Sequence, residues 1–165
     1  MKRILFDTSV YGRLISEPEI LEKIKSKYKE EFIIYGCSTI RKELKETPKH
    51  IVHGKKKVQI ELLNIYDSFI IKENHDLKYN KFVESLTLDY IKEYKKNKGT
   101  FSYASLKEDF AIIATATIYQ LEIIISDDKR TMFSSSAIKS YKNVNRRHGL
   151  SDPEFKDYEK FRQEL

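Results

Sequence analysis

Short runs of apolar residues, uninterrupted by polar positions, recur along this chain and predict the strands of a sheet. Four such runs occur, and none alternates between apolar and polar side chains. A strand that is apolar on both faces is typical of a parallel sheet covered by helices on both sides. The four runs are residues 4–6, 32–35, 69–71 and 123–125.

Helical periodicity fills the intervals between these runs. A capping-box pattern at residues 16–19 precedes apolar residues that fall on one face of a helix. A second such pattern, beginning at Ser105, opens a helix that is apolar nearly all round through residues 110–116. A helix of that kind is packed on all sides, so we expect it at the centre of the domain. Further helices are predicted over residues 38–46, 57–67, 77–96 and 157–165, and a short strand is predicted around Val144.

The order of these elements indicates the fold class. Strands alternate with helices throughout, which predicts an α/β domain with three layers, α/β/α, around a central, mainly parallel sheet. The 165 residues suit one domain, and no linker divides them. We therefore expect residues 1–165 to form a single domain.

Composition and charge narrow the class of protein. The net charge is +6 and the isoelectric point is about 9.2, which weakly favours a polyanionic partner. The single cysteine, Cys37, is expected to be a small buried side chain. His50 and His53 lie in a basic loop without a third ligand, so a zinc site is not predicted. Because no apolar stretch matches a signal peptide or a membrane span, we expect a reduced, cytoplasmic setting without membrane contact.

Four acidic residues occupy equivalent places in the predicted elements. Asp7 and Asp128 fall just after strands, whereas Glu43 and Asp109 lie in the opening turns of helices. Each has an ordinary explanation by itself, as a helix cap, a turn residue or a solvated surface acid. Asp127 competes with Asp128 for the fourth place, and Glu46 is a nearby rival of Glu43.

The shared placement of these acids predicts a metal site. In a parallel sheet, all four positions lie at the edge formed by the carboxyl ends of the strands, where ligands bind. Four carboxylates in one pocket repel one another unless a cation lies among them. Oxygen ligands select Mg²⁺ or Mn²⁺ rather than zinc or copper. No glycine-rich phosphate-binding motif is present, so a nucleotide-binding fold of that kind is not supported.

The segments around these acids resemble the motifs of the PIN-domain ribonucleases, which include the toxin nucleases of prokaryotic toxin–antitoxin pairs. All four motifs occur in order within about the first 133 residues, and residues 134–165 form a C-terminal extension. The Lys72–Thr100 segment and this extension are longer than a minimal toxin requires. The resembling segments are residues 4–10, 38–44, 109–116 and 125–128.

This resemblance implies Mg²⁺- or Mn²⁺-dependent cleavage of single-stranded RNA. Asp7, Glu43, Asp109 and Asp128 would be the catalytic and metal-binding acids. The resemblance also implies two protein partners, a second copy of the chain in a homodimer and an antitoxin protein. One or two metal ions would orient the scissile phosphate and activate a water molecule.

Polar and basic residues near the acids are candidates for substrate binding. For any one of the basic residues taken alone, ordinary solvated surface is the favoured explanation. Tyr11 and Tyr103 lie close to the motifs and are candidates for stacking on a base, although packed aromatic residues explain them as well. The polar and basic candidates are Ser126, Lys42, Lys45, Lys129 and Arg130.

Three other functions are consistent with parts of the pattern. The first is a PIN-like scaffold without catalysis that binds RNA or protein. The second is a phosphatase with Asp7 as covalent nucleophile, although Ser9 stands where such enzymes carry a second aspartate. The third is an assembly protein whose acids are caps and surface residues, for which Asp7→Asn would change stability alone.

Overall fold

A five-stranded parallel sheet forms the centre of the computed structural model, which describes residues Met1–Leu165. The strand order is β5–β2–β1–β6–β7, and all four pairings are parallel. A separate two-stranded antiparallel hairpin joins β3 and β4. The strands are β1 (Lys2–Phe6), β2 (Phe32–Cys37), β3 (Val52–His53), β4 (Lys56–Lys57), β5 (Asp76–Leu77), β6 (Ile123–Ser126) and β7 (Glu154–Asp157).

Eight helices cover the sheet and complete the three-layer α/β/α architecture that the sequence predicted. Helix α5 packs against α6 and α7, while α4 packs against α1 and α3. No helix combines the length and the apolar character needed to cross a lipid bilayer. The helices are α1 (Thr8–Ser16), α2 (Pro18–Lys27), α3 (Ser38–Glu46), α4 (Val58–Phe69), α5 (Lys81–Lys96), α6 (Tyr103–Ile118), α7 (Ser135–His148) and α8 (Tyr158–Glu164).

The register of β1 sets the position of the site. This strand lies between β2 and β6, with Leu5 opposite Tyr35 and Phe6 opposite Ile125. The residues that follow β1 and β6 therefore emerge side by side at one edge of the sheet. All four residues of β6 and the last three of β1 are buried, as continuous apolar runs in a two-sided sheet should be.

The predicted central helix is confirmed in α6. Its residues from Phe110 to Thr117 are all buried, which explains why the helix has no polar face. Its start differs from the prediction, because Ser102 rather than Ser105 is the N-cap. The Ser102 hydroxyl oxygen accepts a hydrogen bond from the Ser105 backbone N–H.

Several predicted elements are corrected by the structure. Residue Phe69 ends α4, and residues 70–71 form no strand, because the apolar run completes the buried face of a helix. Val144 lies in α7, not in a strand. The capping box at residues 16–19 does not form, since α1 continues to Ser16 and Glu17 makes no side-chain cap. Residue Leu77 belongs to β5, so the long helix begins only at Lys81.

The last 32 residues, 134–165, supply part of the framework. Strand β7 pairs with β6 along its whole length, so Ser126 lies opposite Asp157. Lys156 in β7 is 7% exposed, and its Nζ lies 2.7 Å from Glu164 Oε2 and 3.3 Å from Glu154 Oε1. A buried ammonium requires such carboxylate partners. The ion pair between Lys156 and Glu164 joins α8 to the edge strand of the sheet.

Candidate active site

Asp7 is the most deeply buried of the four predicted acids. It directly follows β1 and caps α1, and its side chain is nearly inaccessible. Its Oδ2 accepts hydrogen bonds from Ser9 Oγ at 2.7 Å and from Ser126 Oγ at 2.9 Å. Burial raises the pKa of Asp7, and these hydroxyl groups partly oppose that rise. The capping role and the proposed functional role thus belong to the same carboxylate.

Glu43 approaches the same end of the sheet from α3. The Thr8 hydroxyl, one residue beyond Asp7, donates a hydrogen bond to Glu43 Oε2. The pKa of Glu43 is raised from 4.5 to about 7, chiefly by burial and then by the charges of Asp7 and Glu108, against the hydrogen bond from Thr8. The half-buried Glu43 is therefore part of the site rather than a fully solvated surface glutamate.

The charges of all the other predicted acids affect the pKa of Asp109, which lies in the second turn of α6. Its pKa is raised from 3.8 to about 8, chiefly by burial and then by the charges of Asp7, Asp128 and Glu43. Like charges raise a carboxyl pKa only when they lie near it in a weakly screened environment. Asp7 and the Asp128 N–H share the Ser126 hydroxyl, and Glu43 bonds Thr8 beside Asp7, so these three acids lie together at the carboxyl end of the sheet. Their charges act on Asp109.

The adjacent residues Asp127 and Asp128 have different surroundings. Asp128 faces the loop that follows β6, where its Oδ1 accepts from the N–H groups of Arg130 at 3.0 Å and Thr131 at 2.9 Å. Asp127 instead lies with its Oδ2 3.4 Å from Arg13 Nη1. Of the two, Asp128 is the one whose charge raises the pKa of Asp109. This difference favours Asp128 as the fourth acid.

The donor set suits a hard divalent cation, although the side chains are not gathered into a closed site. No group of three or more His, Cys, Asp or Glu side chains is arranged in this structure to hold a metal ion. The available donors are carboxylate oxygens, which Mg²⁺ and Mn²⁺ prefer. Mutual repulsion at Asp109 marks an excess of negative charge, and a bound cation would relieve it. The residues present therefore fit such an ion by chemistry and charge.

Ser126, a predicted candidate for substrate binding, lies inside the protein. It is fully buried, and besides bonding Asp7 it accepts a hydrogen bond from the Asp128 N–H at 2.9 Å. A buried hydroxyl that joins two of the acids positions them, and it is closed to solvent in this structure.

The predicted basic residues surround the site with varied partners. Lys42 Nζ lies 3.4 Å from Glu108 Oε1, and Lys129 Nζ lies 2.8 Å from Asp157 Oδ2. The Arg130 guanidinium lies 5.6 Å from the Phe101 ring centroid. Lys45 is exposed. Their role in substrate binding remains a prediction.

The two tyrosines that were candidates for base stacking differ in exposure. Tyr11 is completely buried and packs against Phe6 and Tyr66, so it cannot stack on a substrate base. Tyr103 is 42% exposed at the start of α6. Tyr11 is thus a packed aromatic, and Tyr103 remains accessible.

Sequence reasoning missed Arg13, which contacts the residue next to Asp128. Its guanidinium contacts three acids, with Nε 3.0 Å from Glu17, Nη1 3.4 Å from Asp127 and Nη2 2.6 Å from Glu159. Only the i,i+4 spacing to Glu17 could be seen in the sequence. The other two partners are more than 100 residues away, so only the fold shows that Arg13 joins α1 to the β6 loop and α8.

Comparison with known proteins identifies the fold. No protein-family model and no curated protein matches this sequence. Solved structures do match. The chain is similar to one in the structure of FitAB bound to IR36 DNA fragment, with 16% identity, a TM-score of 0.57 and coverage of 93% of this chain and 94% of that one.

Two further solved structures give the same result. One is VapBC2 from Rickettsia felis bound to a DNA fragment from their promoter, with 10% identity, a TM-score of 0.55 and coverage of 94% of this chain and 98% of that one. The other is VapBC-1 from nontypeable Haemophilus influenzae, with 12% identity, a TM-score of 0.55 and coverage of 96% and 99%. These likenesses confirm the predicted PIN-like fold over nearly the whole chain.

Proposed function

We propose that this protein is a metal-dependent endoribonuclease that hydrolyses phosphodiester bonds in single-stranded RNA. The observation that carries the proposal is the meeting of the acids at one end of the sheet, where Ser126 joins Asp7 to Asp128 and Glu43 bonds Thr8. Burial and the charges of these three acids raise the pKa of Asp109 to about 8. A fold gains no stability by placing four carboxylates in one weakly screened pocket, so such a cluster calls for a cation. The basic surface of the chain would favour a polyanionic substrate.

Asp7, Glu43, Asp109 and Asp128 would hold Mg²⁺ or Mn²⁺. Such an ion lowers the pKa of a bound water and stabilises negative charge on the leaving oxygen. In the hydrolysis, the P–O bond to one nucleotide breaks, the hydroxyl of water joins the phosphorus, and the remaining proton goes to the leaving oxygen.

The residues around Asp7 prepare it for this role. Both hydroxyl groups that bond Asp7, those of Ser9 and Ser126, bond its Oδ2, and neither bonds Oδ1. Their hydrogen bonds also fix the carboxylate against rotation. Ligands held in this way bind metal more tightly than freely rotating ones, because less order is lost on binding.

A protein partner is part of this proposal. The similar solved structures include FitAB with a DNA fragment and VapBC2 with promoter DNA. On that likeness, and on the resemblance of the motifs to toxin nucleases, we propose that this chain assembles with an antitoxin protein and forms a homodimer. The likeness gives no reason to assign DNA binding to this chain by itself.

A PIN-like scaffold without catalysis is the second candidate. It is favoured by one observation, that the acids are not arranged as a closed metal-binding group. It predicts that Mn²⁺ neither binds at the cluster nor changes the stability of the protein.

The test is cleavage of a labelled single-stranded RNA with Mn²⁺, Mg²⁺ or EDTA. Asp7→Asn and Asp109→Asn are compared with Asp89→Asn, a control in α5 whose carboxylate pairs with His148. Circular dichroism establishes that each variant is folded. We expect metal-dependent cleavage in the wild type and the control, and none in the other two. Cleavage that persists in folded Asp7→Asn and Asp109→Asn would refute the assignment of the site.

A further inference from the structure

A cleft with a volume of about 280 Å³ adjoins the acidic site. It lies between the start of α3, the start of α6 and the segment that leads into α5. Two of its lining residues, Lys42 and Glu108, directly precede Glu43 and Asp109 in the chain. Its volume is at the small end of the range for ligand pockets, which suits a single planar ring system.

Tyr79 presents an exposed aromatic ring on a fixed backbone in this cleft. Its side chain is 41% exposed, although its backbone N–H donates a hydrogen bond to Ser38 Oγ at 3.3 Å. The carbonyl of Lys78 accepts from the Tyr119 hydroxyl at 2.9 Å, and Asn80 caps α5. An aromatic ring held in this way can stack on a ligand at little entropic cost.

The charges around Tyr79 indicate what kind of ligand the cleft accepts. Lys42 and Lys107 contribute two positive charges, and Glu84 and Glu108 contribute two negative ones. Because these charges balance, the cleft gives a phosphate group no net attraction. A neutral ligand with its own hydrogen-bond donors and acceptors suits it better.

Both glutamates lie close to the aromatic ring. Glu84 and Glu108 line the same cleft as Tyr79. Burial raises the pKa of Tyr79, and the charges of both glutamates raise it as well. A ligand stacked on Tyr79 would therefore have carboxylate oxygens near its edge. Carboxylates accept hydrogen bonds from the exocyclic amino group of a base such as cytosine.

We propose that this cleft binds one nucleobase of the RNA, with Tyr79 as the stacking surface and Glu84 and Glu108 as acceptors for an exocyclic amino group. The inference rests on the proposed ribonuclease function and adds a determinant of sequence preference beside the cleaved bond. Cytosine, adenine and guanine carry such an amino group and uracil does not, so the cleft discriminates against uracil.

Cytidine and uridine form a matched pair of probes, since they differ at the amino group and the adjoining ring nitrogen. Each nucleoside is titrated into the metal-free, ¹⁵N-labelled protein, and amide chemical shifts are followed by NMR. Neither probe carries a phosphate, and no cleavage takes place, so binding to the cleft is measured separately from catalysis. We expect saturable shifts at Ser38 and Tyr79, with uridine binding about tenfold more weakly than cytidine.

Variants test the individual residues. Tyr79→Ala should weaken cytidine binding about tenfold, and Tyr79→Phe should retain it, because the ring supplies the stacking. Glu84→Gln should reduce the preference for cytidine over uridine, since an amide can also donate to the uracil oxygen. Phe82→Ala removes a more exposed aromatic ring, 73% exposed, from outside the cleft and should bind cytidine like the wild type.

The outcomes separate this inference from the proposed function. Binding at the cleft that depends on Tyr79 supports the inference even if no RNA is cleaved. Metal-dependent cleavage together with an unresponsive cleft overturns the inference and leaves the ribonuclease proposal standing. Shifts that occur elsewhere on the protein, or that are unchanged in Tyr79→Ala, also overturn it.

Discussion

The hydroxyl of Ser126 donates to Asp7 Oδ2 at 2.9 Å, and thereby joins the ends of two adjacent strands, β6 and β1. The two residues are 119 positions apart in the chain. The same Ser126 oxygen accepts from the Asp128 N–H. One buried hydroxyl thus orients two of the four acids, although it carries no charge itself.

Ser126→Ala should weaken the proposed metal site while leaving the fold intact. Loss of a residue that orients a metal ligand typically costs 10- to 100-fold in metal affinity or activity, so we expect a loss of about that size. Calorimetric titration with Mn²⁺ and RNA cleavage rates measure it. Ser85→Ala, an exposed serine of α5, is the control. Equal Mn²⁺ affinity in the wild type and Ser126→Ala would show that the hydrogen bond does not organise the site.

The metal-free protein should lose stability as the pH rises from about 4 to about 8. In the folded chain the pKa of Asp109 is raised to about 8, whereas an unfolded aspartate ionises near 3.8. Between these values the unfolded state binds fewer protons, so rising pH favours unfolding. Glu43, raised to about 7, acts in the same direction. Urea unfolding in EDTA at pH 5 and pH 8 measures the difference.

Asp109→Asn should make the metal-free protein more stable at pH 8. The amide fills the same volume without adding to the repulsion among the acids, and we expect a gain of about 2 kcal/mol in the free energy of unfolding. The gain should shrink at pH 5, where Asp109 is protonated in the wild type. A loss of stability at both pH values would contradict the electrostatic explanation.

Mn²⁺ should stabilise the wild type at neutral pH. An ion that binds only the folded state at 100 times its dissociation constant adds about 2.7 kcal/mol to the free energy of unfolding. Thermal unfolding with Mn²⁺ and with EDTA measures the gain, which should be absent from the Asp7→Asn/Asp109→Asn double variant. If Mn²⁺ leaves the melting temperature of the wild type unchanged, the scaffold alternative gains support.

Asp127→Asn and Asp128→Asn should differ in their effect on cleavage. Asp127 lies beside Arg13, while Asp128 contributes to the repulsion at Asp109. We expect Asp128→Asn to lower the cleavage rate by about 100-fold and Asp127→Asn to leave most of the activity. Single-turnover rates of both variants at saturating Mn²⁺ provide the comparison. The reverse ranking would assign the fourth acid to Asp127.

Gly36→Ala should destabilise the protein because β2 lies directly against a buried tyrosine. A Cβ atom at Gly36 would overlap the Tyr66 hydroxyl, which donates to Asp76 Oδ1 at 2.8 Å. Overpacking of this kind costs about 1–3 kcal/mol. Adding Tyr66→Phe removes the overlapping oxygen and should recover part of that loss in a double-mutant cycle by urea unfolding. Strictly additive effects would show that the two residues do not compete for space.

The sequence alone predicts those strands and helices whose apolar pattern is set by residues close together in the chain. The apolar runs that became β1, β2 and β6 were identified because both faces of a parallel strand are buried. The all-round apolar character of α6 likewise revealed its central place. Asp7, Glu43, Asp109 and Asp128 are predicted as site residues because each follows a strand or lies in the opening turns of a helix, and those positions share one edge of a parallel sheet.

The sequence failed to predict the elements that tertiary contacts, rather than the local apolar pattern, stabilise. Strands β5 and β7 carry no apolar run, since each lies at an edge of the sheet and is stabilised by pairing with β2 or β6. Residues 69–71 are as apolar as a strand, yet Phe69 completes the face that α4 buries. Periodicity cannot distinguish a short buried strand from the end of a buried helix.

Which side chains face one another was decided by the tertiary structure alone. The sequence could name Asp7, Ser126 and Asp109, because local pattern marks the ends of strands and helices. It could not show that Ser126 bonds Asp7, that Arg13 contacts Asp127, or that Tyr79 stands beside Glu108. Those relationships depend on strand register and helix packing, which bring together residues far apart in the chain and have no signature in local sequence.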